Sequence, residues 1–176
     1  MRNIFRSKIR CGCVFLIVLL VGSVAGFPLK AQACTISKCG VTQTYANPFK
    51  LSANLYCDET GTPAIDLDGC GGPQVVDCQF HTISGGCTGS CLTEGGEDYV
   101  GISSNGGNIE VKNCIITKEQ DAVSLSNAHA QIDGGVFIWW NYIGVDLECV
   151  ADAKLVPGSV FIFNHTDVNT LSLTCE

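Results

Sequence analysis

The chain has 176 residues, 17 of them acidic and 10 basic, for a formal charge of −7. That balance repels phosphate backbones and excludes a nucleic-acid groove. The length suffices for one domain with a core of its own.

Residues 1–33 read as a secretory signal, which makes the protein an exported, extracellular one. Arg2, Arg6, Lys8 and Arg10 precede the apolar run Val14–Gly26, and the small-x-small site Ala31-Gln32-Ala33 stands before Cys34. Cleavage falls after Ala33 or, alternatively, after Ala25. The apolar run is too short for a comfortable span, so this segment is the one contact with a membrane. Removing 1–33 takes all arginines and two lysines; five lysines then face 17 acids, a charge of −12. Ten of the 12 cysteines remain, an even number that reads as several disulfides in an exported chain. Their spacings and the scattered histidines do not suit zinc.

Residues 34–63 form an N-terminal cap, and 64–176 carry a repeat. AIDL (64–67), GISS (101–104), AVSL (122–125), GVDL (144–147) and TLSL (170–173) begin 37, 21, 22 and 26 residues apart. The first interval is lengthened by an insertion, 84–98. Each phrase is followed at a similar distance by a second one: VVDCQF (75–80), VKNCII (111–116), IDGGVF (132–137) and VPGSVF (156–161). Short β-branched runs repeating near 22 residues predict a coiled β-solenoid, with equivalent residues stacked one rung apart. Period-two alternation turns Ile65, Leu67, Val123, Leu125, Val145 and Leu147 inward, and Asp66, Ser124 and Asp146 outward. Asp77, Asn113, Gly134 and Gly158 are residue types that tolerate a left-handed corner. After each corner, Phe80, Ile116, Phe137 and Phe161 are expected to form an interior column, beside a smaller one of Cys78, Cys114, Gly135 and Ser159. An antiparallel sandwich is the rival architecture. Helical periodicity is absent from 34 onward.

The stretch DLDGCGGPQVVDCQFHTISGG (66–86) resembles the opening segment of right-handed parallel β-helix proteins of the pectate-lyase-like superfamily. The resemblance covers about residues 51–175 and implies an all-β, disulfide-bonded right-handed parallel β-helix of about five short rungs. It leaves activity open, because the superfamily includes lyases, hydrolases, epimerases, adhesins and phage spikes. Lyases of this kind use an arginine base, and no arginine follows residue 10. The polygalacturonase-like elements, an Asp-Asp pair and a Gly-His-Gly, are missing too.

Candidate residues are few. Asp66, Asp121 and Asp146 fall near one strand column, as a carboxylate cluster or as solvated outward positions. Asp121, Asp146 and Glu148 could also hold Ca²⁺, the one cofactor considered. Trp139, Trp140 and Tyr142 form an aromatic cluster, either a shelf for sugar rings or a packed edge with Trp139 under Phe163. Asn164-His165-Thr166 is a glycosylation sequon. Cys149 and Cys175 each follow an inward leucine by two residues, which predicts a disulfide across neighbouring rungs; Cys78 and Cys114 share a column in the same way. These readings favour a non-catalytic, surface-associated or carbohydrate-binding module whose partner is a polysaccharide or cell-surface glycan. The alternatives are a polysaccharide lyase or glycoside hydrolase, and a purely structural cell-surface protein. A strand end left open at the C-terminal side predicts a capping partner.

Overall fold

A computed structural model describes residues 34–43, 48–58, 61–68, 73–86, 99–149 and 151–171. The signal segment, most of the insertion and Cys175 therefore lie outside the described residues. Among the described residues all regular elements are strands: β1 (Cys34–Ile36), β2 (Val41–Gln43), β3 (Phe49–Leu51), β4 (Leu55–Cys57), β5 (Ile65–Asp68), β6 (Gln74–Asp77), β7 (Thr82–Gly85), β8 (Val100–Lys112), β9 (Ile115–Thr117), β10 (Asp121–Ile132), β11 (Phe137–Trp139), β12 (Ile143–Glu148), β13 (Asp152–Leu155), β14 (Val160–Ile162) and β15 (Thr166–Leu171). No helix long and apolar enough to cross a membrane occurs among the described residues.

Every named pairing is parallel, and the strands fall into three columns. The first holds β2, β5, the leading half of β8, the leading half of β10, then β12 and β15. The second holds β1, β3, β6, the trailing halves of β8 and β10, and β13. The third, a separate five-stranded sheet, runs β4, β7, β9, β11, β14. From β5 onward the chain visits the columns in one fixed order. An antiparallel sandwich is ruled out. Strands β1–β4 extend the same two sheets, so 34–63 carries further rows of the stack.

Inward positions stack in register. Ile65, Ile102, Val123 and Val145 form one ladder, and Leu67, Ser104, Leu125 and Leu147 the next; all are buried. Burying each large aliphatic side chain contributes roughly 1.5–3 kcal/mol, so these ladders set the register. The repeat is more even than the sequence phrases suggest. Val168 pairs with Val145 and Thr170 with Leu147, so the last copy is Asp167–Thr170 and the final interval is 23 rather than 26.

Corners explain where the ungapped phrases misled. From the equivalent inward residues Val76, Val111, Ile132 and Leu155 to the first residue of the next third-column strand, five, three, four and four residues intervene. The left-handed residues there are Gln79 and Phe80 in the first corner, then Asn113, Gly135 and Gly158 in the next three. Asp77 and Gly134 are not corner residues of that kind. The interior column is therefore Leu55, Ile83, Ile116, Ile138 and Phe161. Phe80 and Phe137 lie outside it, 62% and 40% exposed. Val136, fully buried, takes the place expected for Gly135 beside Cys114. Two other corners use the same device: Gly106, Asn127 and Cys149 in one, Lys118, Trp140 and Phe163 in the other. Asn and Gly adopt this backbone cheaply, whereas Trp and Phe do so only because the rows above and below fix it.

Two disulfides cross between rows. Cys39 bonds Cys57, and Cys78 bonds Cys114. Both fit folding in an oxidising compartment. Cys149 is disulfide-bonded as well. Its expected partner lies outside the described residues, and Leu147 stands opposite Thr170 rather than Leu173, so the phrase alignment from which that pairing was reasoned is offset by three residues.

Candidate functional site

The third corner gathers the aromatic residues. Strand β11 turns Ile138 into the core, so Trp139 faces the other way and sits opposite Ile162 and Thr117. It does not pack beneath Phe163. Trp140 occupies the left-handed corner position, in one column with Lys118 and Phe163, and the chain hydrogen-bonds through it from row to row: Lys118 N donates to Trp140 O and Trp140 N to Ile162 O. Because the corner backbone points these side chains outward, Trp140 is 50% and Phe163 74% exposed. The Trp139 and Trp140 rings stack with centroids 5.3 Å apart and planes at 29°. Tyr142 and His165 are equivalents one row apart, and their rings stack at 4.8 Å and 5°. That separation matches the row spacing itself. The result is an aromatic shelf along one edge of the stack.

Immediately behind the shelf runs a polar ladder at positions 119, 141 and 164. Asn141 is fully buried. Its Nδ2 donates to Ile116 O, Trp139 O and Asn164 Oδ1, and its Oδ1 accepts from Glu119 N. Asn164 Nδ2 donates to Ile138 O and Asp167 Oδ1. The amide that a glycan would occupy is thus already engaged in holding the shelf. At the third position stands Glu119, 1% exposed, its Oε1 without a hydrogen-bond partner. Burial, with the nearby Asp121 charge adding to it, raises its pKa from 4.5 to about 9, so the carboxyl is neutral at ordinary pH. Gly85 makes room for it, since a Cβ there would collide with the Glu119 carboxyl and Lys118 O. The sequence reading missed Glu119; its signal was the step of 22 residues from Glu119 to Asn141, followed by one of 23 from Asn141 to Asn164.

The three aspartates do not assemble. Asp66 and Asp146 share an outward column with Ser103 and Ser124 between them. Three row steps separate them by about 14 Å. A glycosidase pair stands roughly 5–5.5 Å or 6.5–9.5 Å apart. Asp121 lies in a different column, opposite Val100 and Ile143, at the parity of the inward Val123. Asp66 accepts from Ser103 Oγ at 3.0 Å and Asp146 from Asn169 Nδ2 at 2.9 Å; Asp146 is only 6% exposed, so it is a covered, hydrogen-bonded position and not the solvated one its outward parity suggested. For Ca²⁺, no group of three or more His, Cys, Asp or Glu side chains is gathered among the described residues.

Two surface hollows, of about 110 Å³ beside Cys39 and Asp58 and about 160 Å³ beside Gln74 and Gln131, include no aromatic wall. Small-molecule pockets usually measure roughly 300–1,000 Å³. Neither hollow is lined by a residue of the shelf. No protein-family model matches the chain, and no curated protein and no solved structure matches it.

Proposed function

We propose that this protein is a secreted right-handed parallel β-helix, of the kind found in the pectate-lyase-like superfamily, that binds an extended carbohydrate without cleaving it. The parallel columns visited in fixed order support a coil, and the disulfides support an extracellular setting. The binding reading is carried by one observation, the half-exposed Trp139–Trp140 stack with Phe163 and the Tyr142–His165 pair along the same edge. Rings presented on a rigid edge lose little entropy on contact with the apolar face of a sugar. An edge of exposed rings suits a polymer lying along it better than a small sugar needing enclosure. The separation of Asp66 from Asp146 supports a non-catalytic role. In this reading Cys175 is the partner of Cys149 and ties down the last row.

A glycan array followed by titration of the best ligand tests the proposal. Trp140→Ala is expected to lose about 1 kcal/mol of binding, roughly five-fold in affinity, with little change in melting temperature. Wild-type protein should release no reducing ends or unsaturated products from that ligand. Turnover, or binding indifferent to Trp140, would reject the reading.

A further inference from the structure

The outer face of the third sheet differs from those of the other two columns. Among the described residues none of its outward positions is charged, and they include Tyr56, Ile115, Phe137, Trp139, Val160 and Ile162. Outward positions of the second column carry Lys50, Asp77, Glu110, Lys112 and Lys154, and those of the first carry Asp66 and Glu148. Of the eight large apolar side chains that stand exposed among the described residues, six lie on the third face or at its two corners. At one corner Phe80 lies against Gly135. At the other, Trp140 and Phe163 begin the shelf, and the Trp139–Trp140 stack joins shelf to face. The two form one continuous surface. Apolar exposure on this scale, free of charge and rich in aromatic rings, has the composition of a binding surface.

We infer that this face and the shelf together dock on a packed, uncharged polysaccharide, one whose chains lie side by side in an insoluble particle. The inference rests on the carbohydrate-binding reading and goes beyond it in naming the form and charge of the ligand. Width decides the form. A single chain lying along the column of Trp140 and Phe163 meets the shelf alone. Phe137 stands two residues from Trp139, roughly 7 Å along the strand, and Phe80 lies farther still. Those rings meet a sugar only when another chain lies beside the first. In the other direction Ile115, Phe137 and Val160 occupy successive rows, roughly 10 Å from first to last. Parallel strands in register hold these side chains in one fixed array, so little entropy is lost on contact with an ordered ligand. Charge decides the class. An anionic polymer would meet Lys118 in the shelf column but no cation on the face, in a chain of formal charge −7. A neutral polymer leaves no charge desolvated on a face that carries none. The face also lacks the lysines with which a protein grips anionic lipid. Continuity with the shelf through Trp139 favours sugar over a second copy of the chain.

Uptake from solution by microcrystalline cellulose, chitin and calcium pectate particles, beside titration with soluble cello- and chito-oligosaccharides, tests this. Wild type should be taken up by cellulose or chitin and not by calcium pectate. Phe137→Gln and Ile162→Gln, with circular dichroism to confirm folding, should each weaken uptake roughly three- to ten-fold and leave oligosaccharide binding at the shelf unchanged. Phe137→Trp keeps a ring and should be taken up as wild type is. Oligosaccharide binding that depends on Trp140, with no uptake by cellulose or chitin, would overturn the inference and leave the carbohydrate reading standing. Binding of neither soluble nor particulate glycan would remove both. Uptake indifferent to Phe137 and Ile162 would also overturn it, as would a wild-type dimer that Phe137→Gln dissociates in sedimentation, which would assign the face to a second copy.

Discussion

Glu119 shows how one side chain ties composition to stability. Its folded pKa is about 9 against 4.5 for the ordinary group, so the folded state binds the proton more tightly than the unfolded state. Such a group contributes stability that is full below about pH 4.5 and is lost as pH rises toward about 9, at up to about 1.4 kcal/mol per pH unit. Its partner in causing the shift is Asp121, which adds to the burial effect. Glu119→Gln keeps the shape and removes the ionisation. The variant should therefore unfold at higher denaturant than wild type at pH 8, and the difference should shrink toward pH 5. Equal pH profiles for the two proteins would show that the carboxyl is not buried in its neutral form. Glycosylation at Asn164 belongs to this scale too: its amide supports the backbone at Ile138, so mass spectrometry of secreted material should find that asparagine unmodified.

At the scale of elements, alternation within the phrases was legible and corner length was not. The β-branched residues at 65, 123 and 145 announced an inward ladder because a two-residue period leaves them no other face. Equal phrase lengths suggested equal corners, but three to five residues intervene between the last inward residue of one strand and the start of the next. That slip sent Phe80 and Phe137 to the core on paper, where large apolar side chains ordinarily belong. Trp140 and Phe163 were similarly ambiguous, since a left-handed backbone at a bulky residue leaves no mark in composition. Hydrophobic pattern therefore found the strands, and only the register fixed the site. A pair of substitutions separates the faces: Leu125→Ala should cost about 2–5 kcal/mol, whereas Ser124→Ala, one residue earlier and facing out, should stay within about 0.5 kcal/mol. Comparable losses at both positions, read from urea midpoints, would put the alternation in error.

For the whole molecule, the account requires that rows distant in sequence be neighbours in space. The disulfide between Cys78 and Cys114 spans 36 residues and joins the corner after β6 to the corner after β8. It can form only if those strands lie side by side, as the pairing of Val76 with Val111 places them. The sequence put both cysteines in one column but left open whether the insertion would spread the rows. The rows on either side of it are nonetheless direct neighbours, with Val76 opposite Val111 and Ile83 opposite Ile116. Digestion of the secreted, unreduced protein and mass mapping of its linked peptides tests this most directly. The account predicts Cys78 joined to Cys114, Cys39 to Cys57, and Cys149 to Cys175. Cys78 recovered in linkage to Cys70 or Cys87, or as a free thiol, would contradict the parallel stack.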